Sequence, residues 1–333
     1  MRYYDLTISG RNVQGGSVRF TSHPNGIMNP PDPGALDLEF DIQVYQFGSP
    51  GGSGSDYISI RGVPIDYLSQ SVQWGNITAS QPGASVTLLG GMGKGLPLAK
   101  PSQAGLLLSG EVFQSFGNWI GLDQGLTIIP FGCQDLSAIK SGNFSFNLPA
   151  NTSLQAGLAR LFSSILPKVK VKFILSQTIT FPQTVTHVCD NLQSFADWLT
   201  NTTFNWGGKI KGVGIYVVGG QIVVWDGIPN TTPKQLLFED LLGQPTWFAQ
   251  DQLIVSTVMR ADISIGDIIK MPVNDSNNAG FVSNSYESYP SQQNYKMTFQ
   301  GKFQVVGVRH IGNFRSIDAT QWQTNFQCAA INV

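Results

Sequence analysis

Between positions 36 and 47 the chain alternates almost without fault. Leu36, Leu38, Phe40, Ile42, Val44 and Gln46 take one face, and Asp37, Glu39, Asp41, Gln43 and Tyr45 take the other. A period of two over that length predicts a long half-buried strand that sends Leu36, Leu38, Phe40, Ile42 and Val44 into a core. Pro30, Pro31 and Pro33 punctuate its start, and the Gly- and Ser-rich stretch 48–56 connects it to a second strand over 57–62, so the pair reads as a β-hairpin. Further strands are predicted over 72–79, 86–89, 106–114 and 126–131, at the spacing of a sandwich or barrel.

The period then changes. Leu154, Leu158, Leu161, Phe162 and Ile165 recur at helical spacing before Pro167, and Leu192, Phe195, Ala196 and Leu199 do so after Asp190, which is the expected N-cap. A strand over 169–180 and a hairpin over 214–225, turning at Gly219-Gly220, complete a small α+β unit. Residues 233–237 predict a short helical lead into a last β region with strands over 253–259, 263–270, 295–300, 303–312 and 321–330. The first two of these form a hairpin around Gly266-Asp267 that ends at Pro272. Residues 273–294, rich in Asn, Ser, Gly and Tyr, predict a long loop able to face a partner. The expected fold class is therefore mainly β with a small α+β insertion: two β-barrel-type domains, 1–148 and 236–333, flank an α+β middle domain, 149–235.

Composition narrows the function. Only 12% of the 333 residues are charged, about half the usual share, so the exterior is polar but weakly solvated, as suits a chain that buries much of its surface against partners. A net charge of −1 gives no field for phosphates, and the one basic run, Lys168, Lys170 and Lys172, alternates with Val169, Val171 and Phe173 as the outer face of an edge strand. Sequence-specific nucleic-acid binding is not expected. Three cysteines, Cys133, Cys189 and Cys328, have no paired spacing and read as core residues made in a reducing compartment. The N-terminus lacks the apolar stretch of a signal peptide and no segment reaches the roughly 20 apolar residues of a membrane span, so neither a membrane anchor nor a glycan at Asn201 is expected.

Candidate chemistry gives way to bland readings. In Gly90-Gly91-Met92-Gly93-Lys94-Gly95 a phosphate loop would need Gly at Leu88 and Ser or Thr at Gly95. Gly51-Gly52-Ser53-Gly54-Ser55 lacks the last glycine of a nucleophile elbow. His23, His187, His310 and the cysteines are too scattered for zinc, and nothing pairs Glu39, Glu111, Glu239 and Asp240 as glycosidase carboxylates. His310 is expected to satisfy a structural hydrogen bond and Asp267 to serve turn geometry. No catalytic, cofactor-binding or metal-ligating residue is nominated, and no enzyme activity is expected.

Three segments carry a resemblance. Gln244-Pro245-Thr246-Trp247 stands ahead of Met259-Arg260-Ala261-Asp262-Ile263 and Gly266-Asp267. Leu96-Pro97-Leu98-Ala99 follows a Gly-rich turn and precedes a strand ending in Phe116-Gly117-Asn118-Trp119. His310, Gly312, Arg315 and Trp322-Gln323-Thr324 close the chain. In this order they resemble the central baseplate hub proteins of contractile-tailed bacteriophages, related to the base of type VI secretion spikes. The resemblance implies a homotrimer whose two barrels per subunit make a pseudo-sixfold ring, set between a hexameric tail tube protein and a trimeric central spike protein. Other baseplate or wedge proteins, and a tape measure protein, would be further neighbours. It also implies a virion location in the tail baseplate after synthesis in the host cytoplasm. No internal repeat between the two end regions supports their equivalence. The competing reading is a receptor- or glycan-binding tail or adhesin module, suggested by Tyr286, Tyr289 and Tyr295 in a polar segment.

Overall fold

The computed structural model describes residues 1–44, 46–47, 56–75, 83–94, 100–132, 143–208, 210–228, 232–249, 252–272 and 301–331. Its strands are β1 (Arg2–Ser9), β2 (Ser17–Thr21), β3 (Asp37–Val44), β4 (Gln46–Phe47), β5 (Tyr57–Arg61), β6 (Ser85–Met92), β7 (Gly105–Ile120), β8 (Asp123–Phe131), β9 (Phe144–Leu148), β10 (Val171–Ile174), β11 (Val185–Cys189), β12 (Gly214–Val218), β13 (Gln221–Trp225), β14 (Lys234–Gln235), β15 (Thr246–Ala249), β16 (Gln252–Val258), β17 (Ile268–Lys270), β18 (Lys302–Asn313) and β19 (Trp322–Ala330). The helices are α1 (Ile65–Ser71), α2 (Leu154–Ile165) and α3 (Leu192–Thr203). The fold is mainly β, with α2 and α3 inserted in the middle of the chain.

One sheet of thirteen strands runs in the order β15-β16-β19-β18-β3-β5-β8-β7-β6-β1-β2, with β17 and β14 added beside β18. It joins both ends of the chain through β3 and β18, where Phe40 faces Gly312 and Ile42 faces His310. Among the described residues the ladder does not close on itself into a barrel. Side chains bridge the gap between β1 and β3 instead. The Tyr4 hydroxyl donates to the Leu36 carbonyl at 2.6 Å, and Phe314 stacks edge-on against Tyr4 while its N–H donates to the Leu38 carbonyl. Arg2 adds a guanidinium that donates to the carbonyls of Asn313 at 2.6 Å and Asp318 at 2.5 Å, and to that of Ser316.

Buried hydrophobic residues form three clusters. The first joins Tyr4, Leu6, Ile8, Leu38, Phe40, Ile58, Ile60, Val86, Leu126 and Ile128 with Val258, Met259 and Trp322 from the far end of the chain. The second packs α2 and α3 on β9, β12 and β13, and the third gathers Trp247, Val255, Ile269, Phe303, Val305 and Phe326. A separate four-stranded sheet, β10-β13-β12-β4, supports the second cluster, and Lys172 stands on β10 at its edge, as the alternation predicts.

Several expectations change. The strand over 36–47 is shared between two sheets, since Gln46 and Phe47 pair with Tyr216 and Ile215 of the smaller one, and Leu36 and Val44 are only half-buried. Of the strand expected over 72–79, Val72–Trp74 is a single 3-10 turn that continues α1 and ends on the fully buried Trp74, and 76–79 lie outside the described residues. The helical lead at 233–237 is β14, pairing in parallel with β17. The hairpin around Gly266-Asp267 does not exist: β16 pairs with β15 and β19, and β17 pairs with β18 and β14. The N-cap of α3 is Asn191, which forms a reciprocal capping box with Ser194, and not Asp190. The segments 48–55, 76–82, 95–99 and 273–300, with Cys133, Tyr286, Tyr289 and Tyr295, lie outside the described residues.

Candidate functional site

Two of the segments singled out by resemblance, the one with Arg260 and Asp262 and the one with His310 and Thr324, meet in a polar junction. Strand β16 ends at Val258, and the chain leaves it through Met259 and Arg260. Arg260, 4% exposed, donates in a bidentate fork to Asp262, with both contacts at 2.7 Å, and reaches Asp240 Oδ2 at 3.2 Å. The pair forms within the bend that follows β16, and its two parallel N–H to oxygen contacts are the geometry in which a guanidinium holds a carboxylate most strongly. Asp240 comes from the 3-10 turn Phe238–Asp240, where its Oδ2 also accepts from the Leu237 N–H at 3.1 Å.

The first third of the chain enters this junction through 100–103. Gln103 Nε2 donates to Asp240 Oδ1 at 3.1 Å, the Ala261 N–H donates to the Gln103 carbonyl at 2.7 Å, and Lys100 pairs with Glu239 at 2.7 Å. Thr324 of β19 closes the other side. Its hydroxyl accepts from the Arg260 N–H at 3.0 Å, lies 3.1 Å from the Arg260 carbonyl, and stands 2.9 Å from His310 Nδ1. A hydroxyl has one proton, so donation to the Arg260 carbonyl leaves His310 Nδ1–H as the donor to Thr324. Burial lowers the His310 pKa from its ordinary 6.5 to about 4, which keeps the ring neutral in that role. The structural reading of His310 therefore holds.

Asp267 also has the geometric role expected of it. Its Oδ2 accepts from the Ser264 N–H at 2.8 Å, and the Gly266 N–H and Asp267 carbonyl exchange bonds with Val305 at 2.8 and 2.9 Å. Gly266 has φ 91°, a left-handed conformation that glycine adopts without strain. Lys234 adds an ion pair to Asp267 at 2.6 Å that the sequence did not suggest.

The other candidates are dispersed. His187 stacks on Trp198 at 4.4 Å, the Cys189 and Cys328 thiols are buried with pKa values pushed up by desolvation, and Glu39 accepts from the Tyr57 hydroxyl at 2.8 Å. Glu111 is buried on β7, far along the sheet from Glu239 and Asp240. Among the described residues no three His, Cys, Asp or Glu side chains gather as a metal site. Asp240 and Asp262 are neighbours, and both are committed to one guanidinium. Sequence reading quoted Arg260 and Asp262 without a role, weighed Asp240 only as a catalytic acid, and missed Gln103. The signal it had was an Arg and an Asp of opposite charge two residues apart, just past the end of a strand.

No protein-family model matches the sequence, and no curated protein matches it. Solved structures do. A component of the type VI secretion system of E. coli, the c3393 protein, described as structurally similar to the T4 bacteriophage tail proteins gp27 and gp5, superposes with a TM-score of 0.53 at 8% identity over 89% of this chain and 74% of its own. The 43 kDa tail protein of prophage MuSo2 from Shewanella oneidensis does so with a TM-score of 0.50 at 8% identity, over 99% of this chain and 98% of its own. The likeness is one of fold. The chain has the mainly β architecture of tail and secretion-system proteins, in agreement with the resemblance read from its sequence. No described helix is long and apolar enough to cross a membrane.

Proposed function

We propose that this chain is a structural virion protein, the central hub of a contractile tail baseplate, in which three copies form a ring between a hexameric tail tube and a trimeric spike. The observation that carries the reading is the fold shared with a type VI component over 89% of the chain. The β3–β18 ladder supports it, because it places a β unit from each end of the chain side by side in one sheet, so three copies would offer six such units to a six-fold tube. The tube, the spike, wedge proteins and a tape measure protein would be its partners, and the tail baseplate, after synthesis in the host cytoplasm, its location. A junction whose carboxylates are bound to Arg260 fits a non-enzymatic role.

Cryo-electron microscopy of the assembled particle, or mass photometry of an isolated baseplate, tests this by counting copies. Three per particle at the end of the tube is the expected result. Six copies, or a location on a fibre, would overturn it. The chain in isolation need not trimerise, since contacts that suffice within an assembly can be too small to hold alone.

A further inference from the structure

Two apolar features lie at opposite ends of β7. Past Glu111, its last residue paired to β6, β7 is laddered only to β8 among the described residues; α1 lies against it as far as Gly117 and β5 stays paired to β8 as far as Gly125, and beyond these the two strands continue as a short arm to the pair Ile120–Asp123. At the base of that arm Phe116 is 51% exposed, and on it Trp119 is 62%, Ile120 70% and Leu122 100% exposed. The tip is a formed turn: the Trp119 indole N–H donates to the Gly121 carbonyl at 2.7 Å, and Gly121 has φ 62°. Large apolar side chains left exposed together at the end of an ordered element mark an interaction surface. At the start of the same strand Leu106, 40% exposed, lines a cleft of about 250 Å³ with Ile174, Tyr216, Val218, Trp225 and Ile265. Lys172 stands at the cleft, and Asp123 at the tip of the arm.

An arm cannot fill its own cleft. Leu106 and Ile120 are the two ends of one strand, and at about 3.3 Å per residue the tip lies roughly 45 Å away. The two surfaces match in character, apolar with one charge each and of opposite sign. We infer that the arm of one copy seats in the cleft of the next, with Trp119 and Leu122 entering the apolar space and Asp123 meeting Lys172. Such a contact is head-to-tail, so it repeats from copy to copy and ends only when rotation closes it into a ring. The inference rests on the ring proposed above and supplies a contact for it.

Capture by disulfide tests it. In a Cys133→Ser background, one preparation carries Leu122→Cys and another Gln221→Cys, both at exposed positions, the second on the cleft; the background chain, whose remaining Cys189 and Cys328 are buried, is the blank. Mixed under mild oxidation, the two variants are expected to give a covalent heterodimer, whereas each alone stays monomeric because the contact joins arm to cleft. Adding Trp119→Ala to the arm variant should slow capture about 30-fold, as for a central interface tryptophan. No heterodimer, homodimers formed equally well, or capture indifferent to Trp119→Ala would each overturn the contact. Three copies counted in the particle without capture would discard the arm and keep the ring. Capture with a different copy number would do the reverse.

Discussion

Arg260 is the side chain whose loss should cost most for its size. Replacing it with Met keeps the volume but leaves Asp240, whose side chain is 3% exposed, as a buried charge held by Gln103, one backbone N–H and the Lys100 ammonium at 3.9 Å. Breaking a buried pair in this way costs about 3–5 kcal/mol, and urea unfolding of Arg260→Met should show it. Adding Asp240→Asn should recover part of the loss; a double variant no better than the single would mean that the pair is not coupled. A second expectation concerns pH. Burial lowers the His310 pKa from 6.5 to about 4, so between those values the unfolded chain binds a proton that the folded one does not, and stability falls as pH falls through that window. Asp56 is the reverse: burial raises it from 3.8 to about 6, so the folded chain binds the extra proton and stability rises as pH falls from 6 to 3.8. The two slopes oppose each other. Relative to the parent chain, Asp56→Asn should therefore lose stability on acidification from pH 6.5 to 4, and His310→Gln should gain it, by on the order of 3 kcal/mol each. Chemical denaturation across that range checks the signs, and parallel profiles for both variants would refute the assignment. The structural role of His310 was legible in the sequence because a lone histidine without other ligands nearby usually satisfies a hydrogen bond, although it stands inside β18 and not beyond its end. Asp56 was not, because its burial depends on how it packs beside β3, where it accepts the Gln43 N–H at 2.9 Å, and no local pattern announces that.

At the scale of elements, period-two alternation succeeded where one face of a strand is buried and the other is wet. Leu38, Phe40 and Ile42 are buried as predicted, and the closing strands β18 and β19 fall within two residues of their expected bounds. The same signal was present in β1, where Tyr4, Leu6 and Ile8 are fully buried, though no strand was predicted there. The hairpin at Gly266-Asp267 failed for another reason. Two apolar runs with a turn between them fit a hairpin locally, but β18 offers Ile268 and Ile269 a longer partner and β19 takes β16. Strand choice is a competition across the whole sheet, which composition near a turn cannot report. The β3–β18 pairing gives this scale its prediction. Phe40 is fully buried, stacked edge-on to Trp322 at 5.4 Å, and a Cβ added to Gly312 would fall 2.3 Å from its ring. Phe40→Ala should cost about 3–5 kcal/mol by the cavity it leaves, and Gly312→Ala about 1–3 by overpacking. Asp41→Asn, which only loses a partly exposed pair with Arg309, should stay within about 1 kcal/mol. Combining Phe40→Leu with Gly312→Ala should be milder than the sum of the two. Strict additivity in thermal melts would show that the ring and the glycine do not share one space.

At the scale of the whole molecule, length and composition suggested three successive units, yet the first cluster of buried side chains draws on both ends of the chain. Val258, Met259 and Trp322 belong to it, and the Trp322 indole donates to the Gly91 carbonyl at 2.9 Å across the core. Arg2 binds the loop after β18, and β3 has its outer ladder only from β18. A fragment of residues 1–148 keeps most of its apolar side chains but loses this cover. Deleting the buried contribution of one tryptophan alone is worth about 3–5 kcal/mol, and a domain's whole stability is about 5–15 kcal/mol, so the fragment has little left with which to hold one packing. It is expected to be collapsed without fixed tertiary contacts: a flat near-UV circular dichroism spectrum and strong binding of a hydrophobic dye, in contrast to the full chain. Residues 143–228 should behave differently, because α2, α3 and the small sheet supply nearly all of their own cluster, with Phe113 and Phe131 the described contributors from outside. That fragment should give a structured near-UV spectrum and a cooperative melt. If 1–148 instead melts cooperatively alone, the contacts through Trp322, Arg2 and β18 are accessory, and the chain is a string of independent units after all. If both fragments are structureless, cooperation extends across all three clusters. The expected outcome, one folded fragment and one that is not, would mean that the ends of the chain form a single mechanical body with the α+β unit built onto it, the arrangement a rigid ring subunit requires.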